Sequence, residues 1–323
     1  SIIITVVLVL GLTGVASAGI KVELSNEAAV QIALGGATQY QEWVDEFSKT
    51  WDSLSGISAS SFTIANSSSS YIGNAKIGLF TVGVIINPTY ILNPKLESGS
   101  GEGYDDFVGA GLNATLIGGF NISKSMDIIV HVFYLPTVTY QDLEVNLFTI
   151  GAAWRWRIFR SMWGGGTGIE GLVLQVGIGG AKTNISYKNN SLNMTITNDG
   201  VDSEINNIDA EFSIKNFYVD ANVIFYFRLI YFMTISAGAG ANLSISSNEI
   251  DATSTNATVS GVTTDISLTG DASKTAFLPY VQAGLTFNIA VVKLDFMGKL
   301  LFNSSLTEKG YILNAAFAFR VDI

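Results

Sequence analysis

Between Phe107 and Ile122 the chain reads FVGAGLNATLIGGFNI. Val108, Ala110, Leu112, Ala114, Leu116, Phe120 and Ile122 alternate there with Gly109, Gly111, Asn113, Thr115, Gly119 and Asn121. Successive side chains of a β-strand point to opposite faces, so a period of two describes a ribbon with one greasy side and one polar side. The rhythm returns in NLFTIGAAWRWRIF, where Phe148, Ile150, Ala152, Trp154, Trp156 and Ile158 oppose Thr149, Gly151, Ala153, Arg155 and Arg157. It returns again along 171–179, 216–229, 233–245 and 291–303.

Soluble antiparallel sheets alternate too, so length and charge decide what the greasy side faces. Strands of soluble sheets usually run about 5 or 6 residues, and several of these runs are more than twice as long. Their apolar faces carry almost no charge, and the ionisable groups gather on the other side together with Gly and Asn. A cation on a lipid-facing position costs about 2–4 kcal/mol at mid-bilayer, so lipid is the partner that this segregation fits. Charged residues make up 14% of the chain, against roughly 25% in ordinary soluble domains. In hydrocarbon an open sheet edge leaves N–H and C=O groups unsatisfied, so a spanning sheet must close on itself. The expected fold is all-β: a closed antiparallel transmembrane β-barrel of about 12 strands (10–14) over 71–323, with polar stretches such as 93–106 and 247–257 as loops. Residues 191–197 and 208–215 are expected as loop extensions or one interrupted strand.

The terminal stretch YILNAAFAFRVDI, with Tyr311, Leu313, Phe317 and Phe319 alternating, resembles the closing strand of bacterial outer-membrane β-barrel proteins. The resemblance covers roughly residues 70–323, and its departure is Ile323, where many members end in an aromatic. It implies a bacterial outer-membrane location. A weaker similarity is to long-chain fatty-acid transporters, which carry an N-terminal segment before the barrel.

Two earlier segments have other rhythms. Residues 1–18, SIIITVVLVLGLTGVASA, are an apolar run ending in Ala-Ser-Ala, which reads as a secretory signal peptide. Within 19–70, Val30, Ala33, Leu34, Ala37, Tyr40, Val44, Phe47, Trp51 and Leu54 recur every three or four residues, with Asn26 as an N-cap. That is an amphipathic helix over 26–54, interrupted at Gly35-Gly36, followed by a Ser/Gly linker. It is expected either to plug the barrel or to pack in the periplasm.

By strand parity, Arg155, Arg157, Lys182, Arg228, Lys293, Lys299 and Arg320 are expected to line the lumen, against Asp127, Asp220 and Asp295. Such an excess of inward cations either pairs off to fill the interior or lines an anion-favouring path. Tyr134, Trp154, Trp156, Phe302, Tyr311 and Phe319 are expected in the aromatic girdles at the two interfaces. His131, the one histidine, falls on the polar side with Asp127 and is expected to make a lumen hydrogen bond. No nucleophile or orienting group in the sequence accompanies it, so no catalytic residues are assigned and an enzyme is not expected. One histidine and no cysteine leave no metal site to assign, with the acidic run 102–106 read as a solvated loop, and no cofactor is expected. The nine N-x-[ST] sequons follow from polar strand faces rich in Asn, Ser and Thr. A net charge of −10 offers no basic patch for nucleic acid.

The expected function is an outer-membrane channel or transporter for small solutes, with anionic or amphipathic ones favoured by the inward cations. The expected partners are membrane lipid and those solutes. The alternative is a sealed barrel with a structural or surface-binding, adhesin-like role through its loops. The sequence specifies no oligomeric state.

Overall fold

A computed structural model describes residues 19–24, 80–92, 108–140, 142–163, 166–189, 194–198, 201–205, 207–259, 262–302 and 311–323. The signal peptide, the helix over 26–54 and its linker fall outside the described residues. Among the described residues there are thirteen strands: β1 (Gly19–Leu24), β2 (Phe80–Leu92), β3 (Val108–Ser123), β4 (Met126–Tyr140), β5 (Leu143–Met162), β6 (Gly168–Asn189), β7 (Met194–Asn198), β8 (Val201–Ile205), β9 (Ile208–Ile230), β10 (Met233–Val259), β11 (Val262–Ile289), β12 (Val292–Phe302) and β13 (Tyr311–Asp322).

Ten of these close a ring in the order β2-β3-β4-β5-β6-β9-β10-β11-β12-β13, with β13 pairing back onto β2 and every pairing antiparallel. The ring therefore has no edge, as a sheet in hydrocarbon requires. Ten lies at the lower limit of the sequence expectation. The central figure of 12 fails because polar stretches read as breaks are continuous strand. Residues 208–215 and 216–229 are one strand, 247–257 belongs to β10, and 258–269 joins 276–288 within β11.

The two ends of the ring differ. At one end strands meet in tight turns at 124–125, 231–232 and 290–291, and Ile323 exchanges backbone hydrogen bonds with Phe80. At the other end β9, β10 and β11 run on for 23, 27 and 28 residues, and short strands attach to the extension. There β1 pairs with Ile266–Asp271 of β11, and β8 meets β10 at Thr258 and Val259. Residues 19–24, placed at the head of the helical segment by sequence, are thus a strand at the extended end.

Burial is inside-out over most of the ring. On β9 the outward residues Phe217, Val223 and Phe225 are exposed, while Tyr218, Asp220, Asn222, Ile224 and Tyr226 are buried. From Phe217 to Leu229 a strand tilted by about 45° climbs ~28 Å, the height of a bilayer's hydrocarbon core. Past Phe217 the pattern inverts. Outward positions become Lys215 and Glu211, and the inward Ile214, Phe212, Ala210 and Ile208 are buried. The same switch occurs on β10 between Ile245 and Ile250, and on β6 between Ile178 and Ile185. The inverted segments pack as a second core of Ile185, Ile208, Ala210, Phe212, Ile250 and Ala272, with Leu143, Val145, Tyr187 and Ala252 against it. A strand facing lipid needs its apolar residues outside; the same strand in water needs them inside. The inversion marks where β6, β9 and β10 leave the membrane.

Candidate functional site

The interior is built from the inward positions of the spanning strands. Asp127 of β4 lies directly opposite Arg155 of β5, and the guanidinium donates from Nε to Oδ1 at 2.7 Å and from Nη2 to Oδ2 at 3.1 Å. On the far side of the ring Arg320 of β13 grips Asp295 of β12 the same way, Nε to Oδ2 at 2.6 Å and Nη2 to Oδ1 at 3.2 Å. Thr286 Oγ1 donates to Asp295 Oδ1 at 2.7 Å. A planar fork meeting a carboxylate at two points fixes geometry as well as charge. Tyr226 lies within electrostatic reach of all four charged groups.

A second group of contacts runs around the wall. His131 Nε2 and Tyr218 Oη are 2.8 Å apart, and the contact spans β5 and β6, which stand between β4 and β9. It is made possible by Gly151 and Gly179, which face each other across those two strands. A Cβ at Gly151 would fall 2.2 Å from His131 Nε2, and one at Gly179 would fall 2.2 Å from Tyr218 Oη. Beyond Tyr218, Asp220 Oδ1 accepts from Tyr280 Oη and from Asn222 Nδ2, both at 2.9 Å. The Lys299 ammonium sits 3.6 Å from the centre of the Tyr280 ring and 3.8 Å from Asp220 Oδ2, a cation over an aromatic face next to its counter-ion. At the short-turn end Arg228 pairs with Glu170, whose other oxygen accepts from Thr234 at 2.9 Å, and Lys293 pairs with Asp322 at 2.6 Å.

The structure thus brings together most of the expected lumen set. Asp127, Arg155, Asp220, Lys293, Asp295, Lys299 and Arg320 are all buried inside, with Arg228 partly so. One position differs. Lys182 is exposed and lies opposite the outward Phe148; the alternation of β6 puts even-numbered residues outside, so the inward assignment had the wrong parity. Arg157 is on the inward side at the short-turn rim, opposite the buried Val173 with its stem over Gly171, and its Nη2 donates to the Lys124 carbonyl. The expected surplus of inward cations also disappears. Arg155, Arg228, Lys293, Lys299 and Arg320 each have a carboxylate: Asp127, Glu170, Asp322, Asp220 and Asp295. Glu170 and Asp322 escaped the sequence reading because they sit at strand ends, outside the clearly alternating stretch.

Tyr218, Tyr226 and Tyr280 are also buried in the interior, and the sequence reading assigned them no role, because only the tertiary structure shows which partner each hydroxyl meets. Tyr134, Trp154, Trp156, Phe302 and Phe319 are exposed on the outside, and Tyr311 is half-buried. Near the short-turn end Phe80 and Phe120 pack with centroids 4.9 Å apart, and Trp163 meets Phe227 at 5.8 Å. Among the described residues no group of three His, Asp or Glu is placed to hold a metal ion.

Beyond the membrane β9, β10 and β11 form a cleft lined by Glu211, Ser213, Glu249, Ile250, Asp251, Thr269, Gly270 and Asp271, with the four acids exposed on the outward side. Glu211 lies directly across from Asp251, and Glu249 from Asp271. Like charges opposed across strands destabilise a sheet, and the exposed Lys215–Glu249 pair at 2.5 Å offsets only one of the four.

No protein-family description matches the chain, and no curated protein matches it. Among solved structures it is similar to Ail, the attachment invasion locus protein of Yersinia pestis, at 8% identity over 77% of this chain and 100% of that one, with a TM-score of 0.30. The translocator domain of the autotransporter NalP from Neisseria meningitidis matches at 10% identity over 92% of this chain and 99% of that one, TM-score 0.40. The toluene transporter TbuX of Ralstonia pickettii matches at 8% identity over 76% of this chain and 90% of that one, TM-score 0.28. The chain's own register and inside-out burial describe a closed antiparallel β-barrel with an apolar outer face.

Proposed function

We propose that the protein is a bacterial outer-membrane barrel with an occluded interior that acts at the surface, binding a partner on its extended strands. The observation that carries this reading is the burial of the lumen side chains: Asp127, Arg155, Asp220, Tyr218 and Arg320 are all 0% exposed. A water-filled conduit would leave such groups wet. Small barrels of about eight strands have interiors just wide enough to be filled by side chains, and here two Arg, three Tyr and a Lys fill the slightly larger ring. The extension has a core of its own, so it is a folded platform rather than a set of loops. Its outward acidic pairs favour a partner that presents cationic groups, with affinity that falls as salt screens the attraction.

A second reading, gated passage of small polar solutes, is favoured by one observation. Both polar atoms of Asn87, Asn242 and Gln282 are buried without a hydrogen-bond partner. An unsatisfied buried group costs about 1–3 kcal/mol, which a hydrated, rearranged interior would relieve. Planar-bilayer recording separates the two readings. The occluded barrel gives no steady conductance, and it binds a polylysine probe that the variant Glu211→Gln/Glu249→Gln/Asp251→Asn/Asp271→Asn releases. Steady conductance in the wild type overturns occlusion and supports passage.

A further inference from the structure

We propose that the export leader is removed between Ala18 and Gly19, and that the α-ammonium released on Gly19 becomes a structural charge that holds β1 at the Asp271 side of the acidic cleft. The inference stands on the pairing of β1 with the extension. Neither occlusion of the interior nor passage through it bears on it.

Backbone register places the new terminus. β1 lies antiparallel on β11, with Gly19 opposite Asp271, Ile20 opposite Gly270 and Lys21 opposite Thr269. Those three β11 residues are the ones that line the cleft from that strand. On its other side β11 pairs with β10, where Asp271 meets Glu249 and Thr269 meets Asp251. Directly opposed residues share a face of a sheet. One row therefore runs Gly19, Asp271, Glu249, and the next runs Lys21, Thr269, Asp251, Glu211. In the first row Glu249 is matched by Lys215 at 2.5 Å, while Asp271 has no cationic partner among the described residues. Its neighbour on the β1 side is a glycine, so the one charge this position can offer is that of its own backbone nitrogen. The second row keeps Asp251 and Glu211 on the far strands, where the surface-binding reading puts a partner.

That nitrogen is charged only after processing. Residues 1–18 end in Ala16-Ser17-Ala18, the small-residue pattern at which leader peptidases cut. Hydrolysis by such a peptidase adds one water across the Ala18–Gly19 bond, leaving a carboxylate on Ala18 and an amine on Gly19. An α-amine titrates at about 7.7–8.0, so at neutral pH most of it is the ammonium. Before the cut the same atom is a neutral amide nitrogen. Opposite charges on neighbouring strands stabilise a sheet and like charges do the reverse, so the ammonium relieves the row in which Asp271 and Glu249 stand side by side. β1 is six residues long and stands at the end of the strand order, where one charge weighs on its pairing.

The test begins with purified leader peptidase added to the full chain in detergent, with the product read by mass. Cleavage after Ala18 is expected; no cleavage, or a cut elsewhere, overturns the proposal. The cleaved, folded chain is then compared with the same chain whose Gly19 amine has been converted to a carbonyl by transamination with pyridoxal phosphate, which removes the charge and keeps the length. Hydrogen exchange in 19–24 and 266–271 is expected to be about twofold to fivefold faster without the amine. Asp271→Asn is expected to accelerate exchange to the same degree, and transamination of that variant to add nothing. Protection of 311–322 reports in each sample that the ring has closed. For the unsubstituted chain, salt at about 1 M is expected to close the gap between the two forms, since it screens exposed pairs. Equal exchange with and without the amine, a gap that survives the salt, or an undiminished effect of transamination in Asp271→Asn overturns the ion pair.

Discussion

Gly151 and Gly179 show how a missing side chain places a present one. His131 and Tyr218 can meet only because the wall beneath them has no Cβ, so Gly151→Val must push the imidazole away from the hydroxyl. Overpacking of this kind costs about 1–3 kcal/mol, and the loss is expected as a lower unfolding midpoint in detergent, measured by loss of β-signal in circular dichroism. The charged residues separate by burial. Asp295→Ala removes the carboxylate that Arg320 holds at two points in the dry interior, and breaking a buried pair costs about 3–5 kcal/mol. Glu249→Ala breaks a pair whose members are half exposed, where the median worth is about 0–1 kcal/mol. Urea unfolding of both variants checks the contrast; equal losses would mean that the interior is as wet as the surface.

At the scale of the element, each long strand carries two opposite amphipathicities in series. On β9 the face that holds Val223 in the bilayer holds Glu211 in water, since positions an even number apart share a face. Val223→Arg is therefore expected to cost about 2–4 kcal/mol of insertion free energy, whereas Glu211→Arg on the same face of the same strand has little effect. Folding yields into phosphatidylcholine vesicles across a urea series measure both. The alternation of the spanning stretches is legible in the sequence because lipid forbids charge on one face over many residues. The continuation of β9 through Lys215 and Asn216 is not, because two adjacent polar residues at a parity switch look the same as a loop. What closes that gap is the register with β10, which runs unbroken from Thr234 to Ser254 opposite β9.

For the whole molecule, the ring and the extension have separate cores and should fail separately. Phe212→Ala removes the largest buried side chain of the extension's core, at a cost of about 3–5 kcal/mol. Hydrogen exchange is expected to rise in 208–216 and 246–275 while the spanning stretches of β9 to β11 keep their protection. Exchange that rises equally throughout would show one cooperative unit.

The sequence by itself determined the class of architecture and the face of nearly every spanning residue, because the bilayer imposes a local rule that each strand must satisfy alone. Only the tertiary structure decided the ring of ten strands, the pairing of each interior cation with its carboxylate and the outward turn of Lys182. Those depend on which strands stand side by side and in what register, and such long-range choices leave no trace in the period of any single strand.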